Sequence, residues 1–158
     1  MTVDLRGGRQ LYLIGAGAVV VDPEERVLML EQEREGRIEW EGPGGALEGN
    51  ESPADCAVRE TAEECGLRVR VERLLRVSEY WERGQFVGIG FLFLTRPDPW
   101  PQEVRLLAKD GSTRFLSYRW CTRAEIERLE HRWAYDITRS AWPPEITTPI
   151  FDRLDLPA

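Results

Sequence analysis

Residues 42–66 constrain the fold more than any other stretch of this chain, because a glycine-rich turn there feeds a helix whose two ends are both legible. Ser52-Pro53-Ala54-Asp55 is a helix start. Ser52 caps free amides, Pro53 suits the first helical position, and Asp55 completes a capping box while meeting the positive end of the dipole. Gly66 ends the helix, as glycine commonly does just past a C-terminus. At about 100° per residue, Ala54, Ala57, Val58, Thr61, Ala62 and Cys65 fall on one stripe, the expected core face. Glu60, Glu63 and Glu64 share an arc of about 100° on the opposite side, the expected polar face. No Lys or Arg at i+4 inside the helix is expected to relieve their repulsion. Clustered carboxylates beside a Gly-Gly turn, where backbone can approach a ligand, offer the oxygen donors that a hard cation such as Mg²⁺ takes. A solvated helix face would carry the same residues, so the cluster alone leaves both readings open.

Charge and composition narrow the function classes. The formal charge is −7, from 21 Lys+Arg against 28 Asp+Glu, which disfavours a protein held to nucleic acid by a basic surface. An anionic substrate remains compatible if a metal supplies the positive charge. No apolar run approaches the roughly 20 residues that cross a bilayer, so no membrane partner is expected. The opening MTVDLRGGRQ lacks the order of a signal peptide, and the chain reads as cytoplasmic. Three cysteines without a CxxC argue against a disulfide framework or thiolate zinc site. Cys56 and Cys65 fall about half a turn apart on the helix and cannot bridge.

The 158 residues suit one domain spanning 1–158. Leu11–Val21 and Val27–Leu30 flank Asp22-Pro23-Glu24-Glu25-Arg26, which predicts a β-hairpin. Strands are predicted over Leu67–Trp81, over Phe86–Thr95 (the most hydrophobic run, expected to be central) and over Phe115–Cys121. Residues 96–112 read as a loop. Thr122 and Glu125 fit a capping box opening a helix to about Glu130. Residues 140–158, with Pro143, Pro144 and Pro149, read as an irregular tail. Helices and strands mix without strict alternation, which favours an α+β fold with a mixed sheet.

The full run Gly45–Leu67 is similar to the 23-residue signature of the Nudix hydrolase family. Its fixed positions are matched by Gly45, Glu51, Arg59, Glu60, Glu63, Glu64 and Gly66. Leu67 fits the closing apolar position, Thr61 departs mildly at the earlier one, and Trp40-Glu41-Gly42-Pro43-Gly44-Gly45 resembles the family's lead-in. The resemblance covers roughly residues 10–130. It implies an α/β/α sandwich around a mixed sheet with a loop–helix–loop metal site. It further implies Mg²⁺ or Mn²⁺ held by Glu60, Glu64, the Gly44 carbonyl, and Glu63 directly or through water. Arg59 and Glu51 are implied as a supporting pair that orients the helix. A carboxylate would take the proton of an attacking water, Glu60 first and Glu63 second. The chain departs from the pattern downstream. If Trp120 precedes the last helix, the family's further Glu is replaced by Arg114; either Asp110, Glu103 or Glu125 then substitutes as an outer ligand, or Arg114 itself contacts substrate phosphate, and the sequence leaves these alternatives open.

The activity this implies is divalent-metal-dependent hydrolysis of a diphosphate bond in a nucleoside-diphosphate-linked substrate: a nucleotide, dinucleotide or nucleotide sugar. The rival readings are a prenyl-diphosphate isomerase and a non-catalytic binding module of the same fold; the intact signature counts against both. Tyr12, Trp40, Tyr80, Trp81 and Phe86 are candidates to stack on a substrate ring, although core burial is the commoner use of such residues. His131 is read as a surface or capping residue. Six Trp, among them Trp120, Trp133 and Trp142, point to a homodimer with the tail at an interface or at the rim of the site.

Overall fold

The structure is a computed structural model and describes residues 5–6, 9–107, 113–129 and 142–156. In chain order these form β1 (Leu5–Arg6), β2 (Arg9–Gln10), β3 (Leu13–Val20), β4 (Val27–Arg34), β5 (Arg37–Glu41), β6 (Gly44–Ala46), α1 (Pro53–Cys65), β7 (Val69–Glu82), β8 (Gln85–Pro97), β9 (Thr113–Cys121), α2 (Arg123–Ile126) and β10 (Ile150–Asp155). A five-stranded mixed sheet runs β10-β7-β8-β3-β6, with β3–β8 and β7–β10 parallel and the other pairs antiparallel. An antiparallel three-stranded sheet runs β5-β4-β9.

The period of two along each strand divides the core in half. Ala16, Ala18 and Val20 of β3 join Leu28 and Leu30 of β4 in the cluster beneath α1. Val19 and Val21, with Val27, Met29, Leu92 and Leu94, face the other way, where Ile126, Trp142 and Ile146 cover them. Strands covered on both faces read as unbroken apolar runs. The result is the layered α+β sandwich about a mixed sheet that the sequence predicts, with Phe86–Thr95 in its central strand.

Four expectations need correction. The hairpin across Asp22–Arg26 does not form: among the described residues β3 and β4 meet only at the bridge Val21↔Val27 and diverge into different sheets. Both strands are apolar on both faces, so each needs cover on both sides, which a half-solvated hairpin lacks. The turn itself is firm, with buried Asp22 accepting from the Arg26 backbone N–H at 2.8 Å and from its Nε at 2.7 Å. The second correction is to α1. Its buried residues are Cys56, Ala57, Glu60, Thr61, Glu64 and Cys65, while Ala62 is exposed and Ala54 and Val58 are half-buried. The buried face is rotated toward the carboxylates, because α1 packs on β3 and on the Gly-rich β6. The third concerns the tail, which is not irregular. Trp142 and Ile146 enter the core, Pro143–Glu145 make one 3-10 turn, and β10 pairs with β7 from Ile150↔Arg76 to Asp155↔Trp81. Arg73 ties this segment down through the Pro144 and Ile146 carbonyls, at 2.6 and 2.8 Å. The predicted helix after Thr122 spans only Arg123–Ile126 with its Glu125 box; Glu130 lies outside the described residues.

Candidate functional site

The residues that carry the site hang on α1, and both ends of that helix are tightly held. Ser52 Oγ accepts from the Asp55 N–H at 3.2 Å, and Asp55 accepts in return from the Ser52 N–H. At the other end Gly66 sits at φ 69°, a conformation that disfavours a side chain. The last carbonyls are satisfied by the loop after β8, since the Arg105 and Leu107 amides donate to Cys65 and Glu64 at 2.9 and 3.0 Å. A helix held at both ends keeps its side chains in fixed register with the turn before it.

Arg59 is the hub of this register. Its Nε and Nη2 donate to the two oxygens of Glu51 at 2.9 and 2.6 Å, and Nη2 also donates to the Ala46 carbonyl at 3.1 Å. Its Nη1 donates to Glu60 Oε1 at 2.9 Å and to Glu63 Oε2 at 3.0 Å. The expectation that no basic residue relieves the acidic arc is therefore wrong: Arg59 lies four residues before Glu63 and one before Glu60. The bidentate guanidinium, with the Glu48 N–H, holds the Glu51 carboxyl down to about 2, and these carboxylates in turn raise the Arg59 pKa.

The three glutamates are not equivalent. Glu60 and Glu64 are 2% and 5% exposed, whereas about half of the Glu63 side chain meets solvent. Glu64 Oε2 accepts from the Gly44 N–H at 3.0 Å. Glu60 lies directly on Gly45, where an added Cβ would come within 2.2 Å of Oε1. Glycine is thus required at Gly45 for the carboxylate to reach the turn. Gly44 meets the helix through its amide. Among the described residues no three or more His, Cys, Asp or Glu converge as a metal cage. The donors nevertheless suit a hard cation: they are all oxygen, and two carboxylates one helical turn apart are nine-tenths buried, an arrangement that favours positive charge between them.

Glu64 also lines a cleft of about 280 Å³. Its floor is the sheet face away from α1, where β3 presents Leu13, Gly15, Gly17 and Val19 and β8 presents Gly88, Gly90, Leu92 and Leu94. Val19, Leu92 and Leu94 fill core, while Gly15, Gly17 and Gly90 line the cleft. Gln32, Arg34 and Glu41 from the smaller sheet form one wall, and Arg76, Ser78 and Tyr80 rise from β7. Tyr80 lies over Gly90, where a Cβ would come within 1.8 Å of its hydroxyl. Burial, and then the nearby Glu41 carboxylate, push that hydroxyl up to about 12, so it stays protonated.

Several candidates are placed elsewhere. Arg114 is exposed on β9 and pairs with Glu33 at 3.0 Å. Glu103 pairs with Arg105 at 2.8 Å, and Glu125 caps α2. Asp110, His131 and Trp133 lie outside the described residues. Of the five aromatic candidates, only Tyr80 lines the cleft. Tyr12 and Trp81 each pack on Phe86, and Trp40 lies against the core. Apart from Tyr80, the cleft residues from β4, β5 and β7 escaped the sequence reading. Their signal was the alternate glycines in Gly15-Ala16-Gly17 and Gly88-Ile89-Gly90, since glycine inside a strand marks close approach of a ligand or another backbone.

A family model described as the NUDIX domain matches residues 11–141. A MutT-like protein of Streptomyces ambofaciens is 38% identical over 74 residues, 47% of this chain and 47% of that protein. The 8-oxo-dGDP phosphatase NUDT18 of Mus musculus is 34% identical over 110 residues, 69% of this chain and 32% of that protein. The match thus spans less than half the length of these curated relatives. Among solved structures, the MutT protein of Methanosarcina mazei Go1 superposes with a TM-score of 0.66 at 20% identity, covering 87% of this chain and 96% of that one.

Proposed function

The chain belongs to the NUDIX domain family, and on that premise we propose that it is a pyrophosphohydrolase cleaving a diphosphate bond in a nucleoside-diphosphate-linked substrate. The observation that carries this reading is the pair of buried carboxylates, Glu60 and Glu64, set against Gly44-Gly45 where Glu64 enters the cleft. Relatives whose names refer to an RNA pyrophosphohydrolase and an 8-oxo-dGDP phosphatase support a nucleotide-type substrate.

Nudix hydrolases use divalent metal ions, and Mg²⁺ or Mn²⁺ is the proposed cofactor here, on Glu60, Glu63, Glu64 and the Gly44 carbonyl. When bound, such an ion neutralises diphosphate oxygens and acidifies a water. The chain's own part is to hold and deprotonate. Glu60 is proposed as the base that takes the water's proton on a carboxylate oxygen, with Glu63 second. The water oxygen bonds to phosphorus as the bridging P–O bond breaks, giving two phosphates. Arg59, fixed by Glu51, sets the carboxylates in register. Purified protein should lose turnover in excess EDTA and regain it with Mg²⁺ or Mn²⁺; full turnover in EDTA would overturn the reading. A screen of nucleoside triphosphates, dinucleotides and nucleotide sugars then identifies the substrate.

A homodimer and a cytoplasmic location complete the proposal. Phe151, 72% exposed on the edge strand β10, supports the first, and three buried free thiols, Cys56, Cys65 and Cys121, support the second. Sedimentation at micromolar concentration should give twice the 18.2 kDa chain mass.

A further inference from the structure

The cleft extends across the sheet well beyond the carboxylates. Gly44, Gly17, Leu92 and Arg76 lie side by side on β6, β3, β8 and β7. Three strand spacings separate the ends of that row, roughly 14 Å. At the far end Arg76 is 7% exposed, yet its side chain lines the cleft. It is held from β10, where Asp152 Oδ2 accepts from Arg76 Nε at 2.8 Å and also from Nη2. Asp152 lies beyond residue 141, where the family match stops.

The charges at this far end cancel. Arg34 and Arg76 are matched by Glu41 on the facing wall and by Asp152, which bonds Arg76 from the neighbouring strand β10. A site with no net charge gives no attraction to a second anion, but it presents both a fixed donor (Arg76) and a fixed acceptor (Glu41, itself accepting from Gln32 Nε2). Between them the cleft is lined by Gly15, Gly17 and Leu92, and the Tyr80 side chain lies over Gly90. A neutral, planar ring edged with both donors and acceptors fits these features, and that is the chemistry of a nucleobase.

We propose that Asp152 is a positioning residue for substrate selection: it holds Arg76 in the floor so that the guanidinium, facing Glu41, recognises the nucleobase of a nucleoside diphosphate. The inference rests on reading the cleft as a nucleotide site, but its test reads binding rather than turnover. Affinities of the adenosine, guanosine, cytidine and uridine 5′-diphosphates and of inorganic pyrophosphate are measured by calorimetry with the full chain and with Asp152→Asn. Wild-type protein should bind at least one nucleoside diphosphate about tenfold or more above pyrophosphate. Asp152→Asn should remove about tenfold of that preference, the loss of one charge-assisted contact, while leaving pyrophosphate affinity unchanged. If Asp152→Asn does not fold, Arg76→Lys reads the same ratio, because an ammonium keeps the charge and loses the fork. An unchanged ratio, an equal loss for both ligands, or no nucleoside preference in wild type would each overturn the proposal. Selective binding without hydrolysis would uphold it while defeating the proposed activity; hydrolysis with an unchanged ratio would do the reverse.

Discussion

At the scale of single residues, burial separates the three glutamates that look alike on a helical wheel. Glu60 is enclosed between Arg59 and Gly45. Replacing it with Gln should cost turnover ~10²–10⁴-fold if it is the base. Because it is not on an exposed face, the change should also lower stability by about 1 kcal/mol through the weakened Arg59 contact. Steady-state kinetics and a melting curve on the same sample check both halves. Glu51 carries a pH signature. Its folded pKa, about 2, lies below the ordinary Glu value of about 4.3, so its contribution to stability is complete above that value. The contribution is lost as pH falls from there toward 2. Denaturant titrations from pH 6 to pH 2 should therefore show a shallower acid decline for Glu51→Gln than for wild type. Equal slopes would mean that the Glu51–Arg59 pair does not stabilise the fold.

At the scale of elements, α1 and its turn act as one unit. Local signals suffice for such a helix: a Ser cap, a Pro at the first position, an Asp three residues after the cap, and a closing Gly each work through neighbouring backbone. Ser52→Ala should cost ~0.5–2 kcal/mol. Since the helix carries Arg59, Glu60 and Glu64 together, the same variant should also weaken Mn²⁺ binding modestly, which a spectroscopic titration reads. The orientation of the helix was less legible. The stripe rule placed Ala62 inward, where it is in fact exposed, and α1 rolls so that Glu60 and Glu64 face the turn. Apolar periodicity identifies the face that would bury well, but not the face that a Gly-Gly strand leaves room for.

At the scale of the whole molecule, the C-terminal segment is structural. Trp142 and Ile146 fill the core beneath the sheet, and β10 extends that sheet by one parallel strand. A chain ending before Trp142 would lose a buried Trp, for which replacement by Ala alone typically costs ~3–5 kcal/mol. It should fail to give a cooperative melt, as circular dichroism would show; an unchanged transition would mean that the tail is dispensable. The sequence by itself determined the motif Gly45–Leu67, the capped helix, the central strand Phe86–Thr95 and the mixed sheet. These rest on interactions between residues close along the chain, or on a spacing that only one chemistry repeats. Tertiary structure alone decided three things: that β3 and β4 part into separate sheets, that β10 pairs in parallel with β7, and that glycines from β3 and β8 align to open a cleft. Each depends on contacts between residues far apart in the chain, so no local periodicity records which strand will be the neighbour. Asp152 shows this most clearly. Nothing around it in sequence marks it out, and only the β7–β10 register brings it to Arg76.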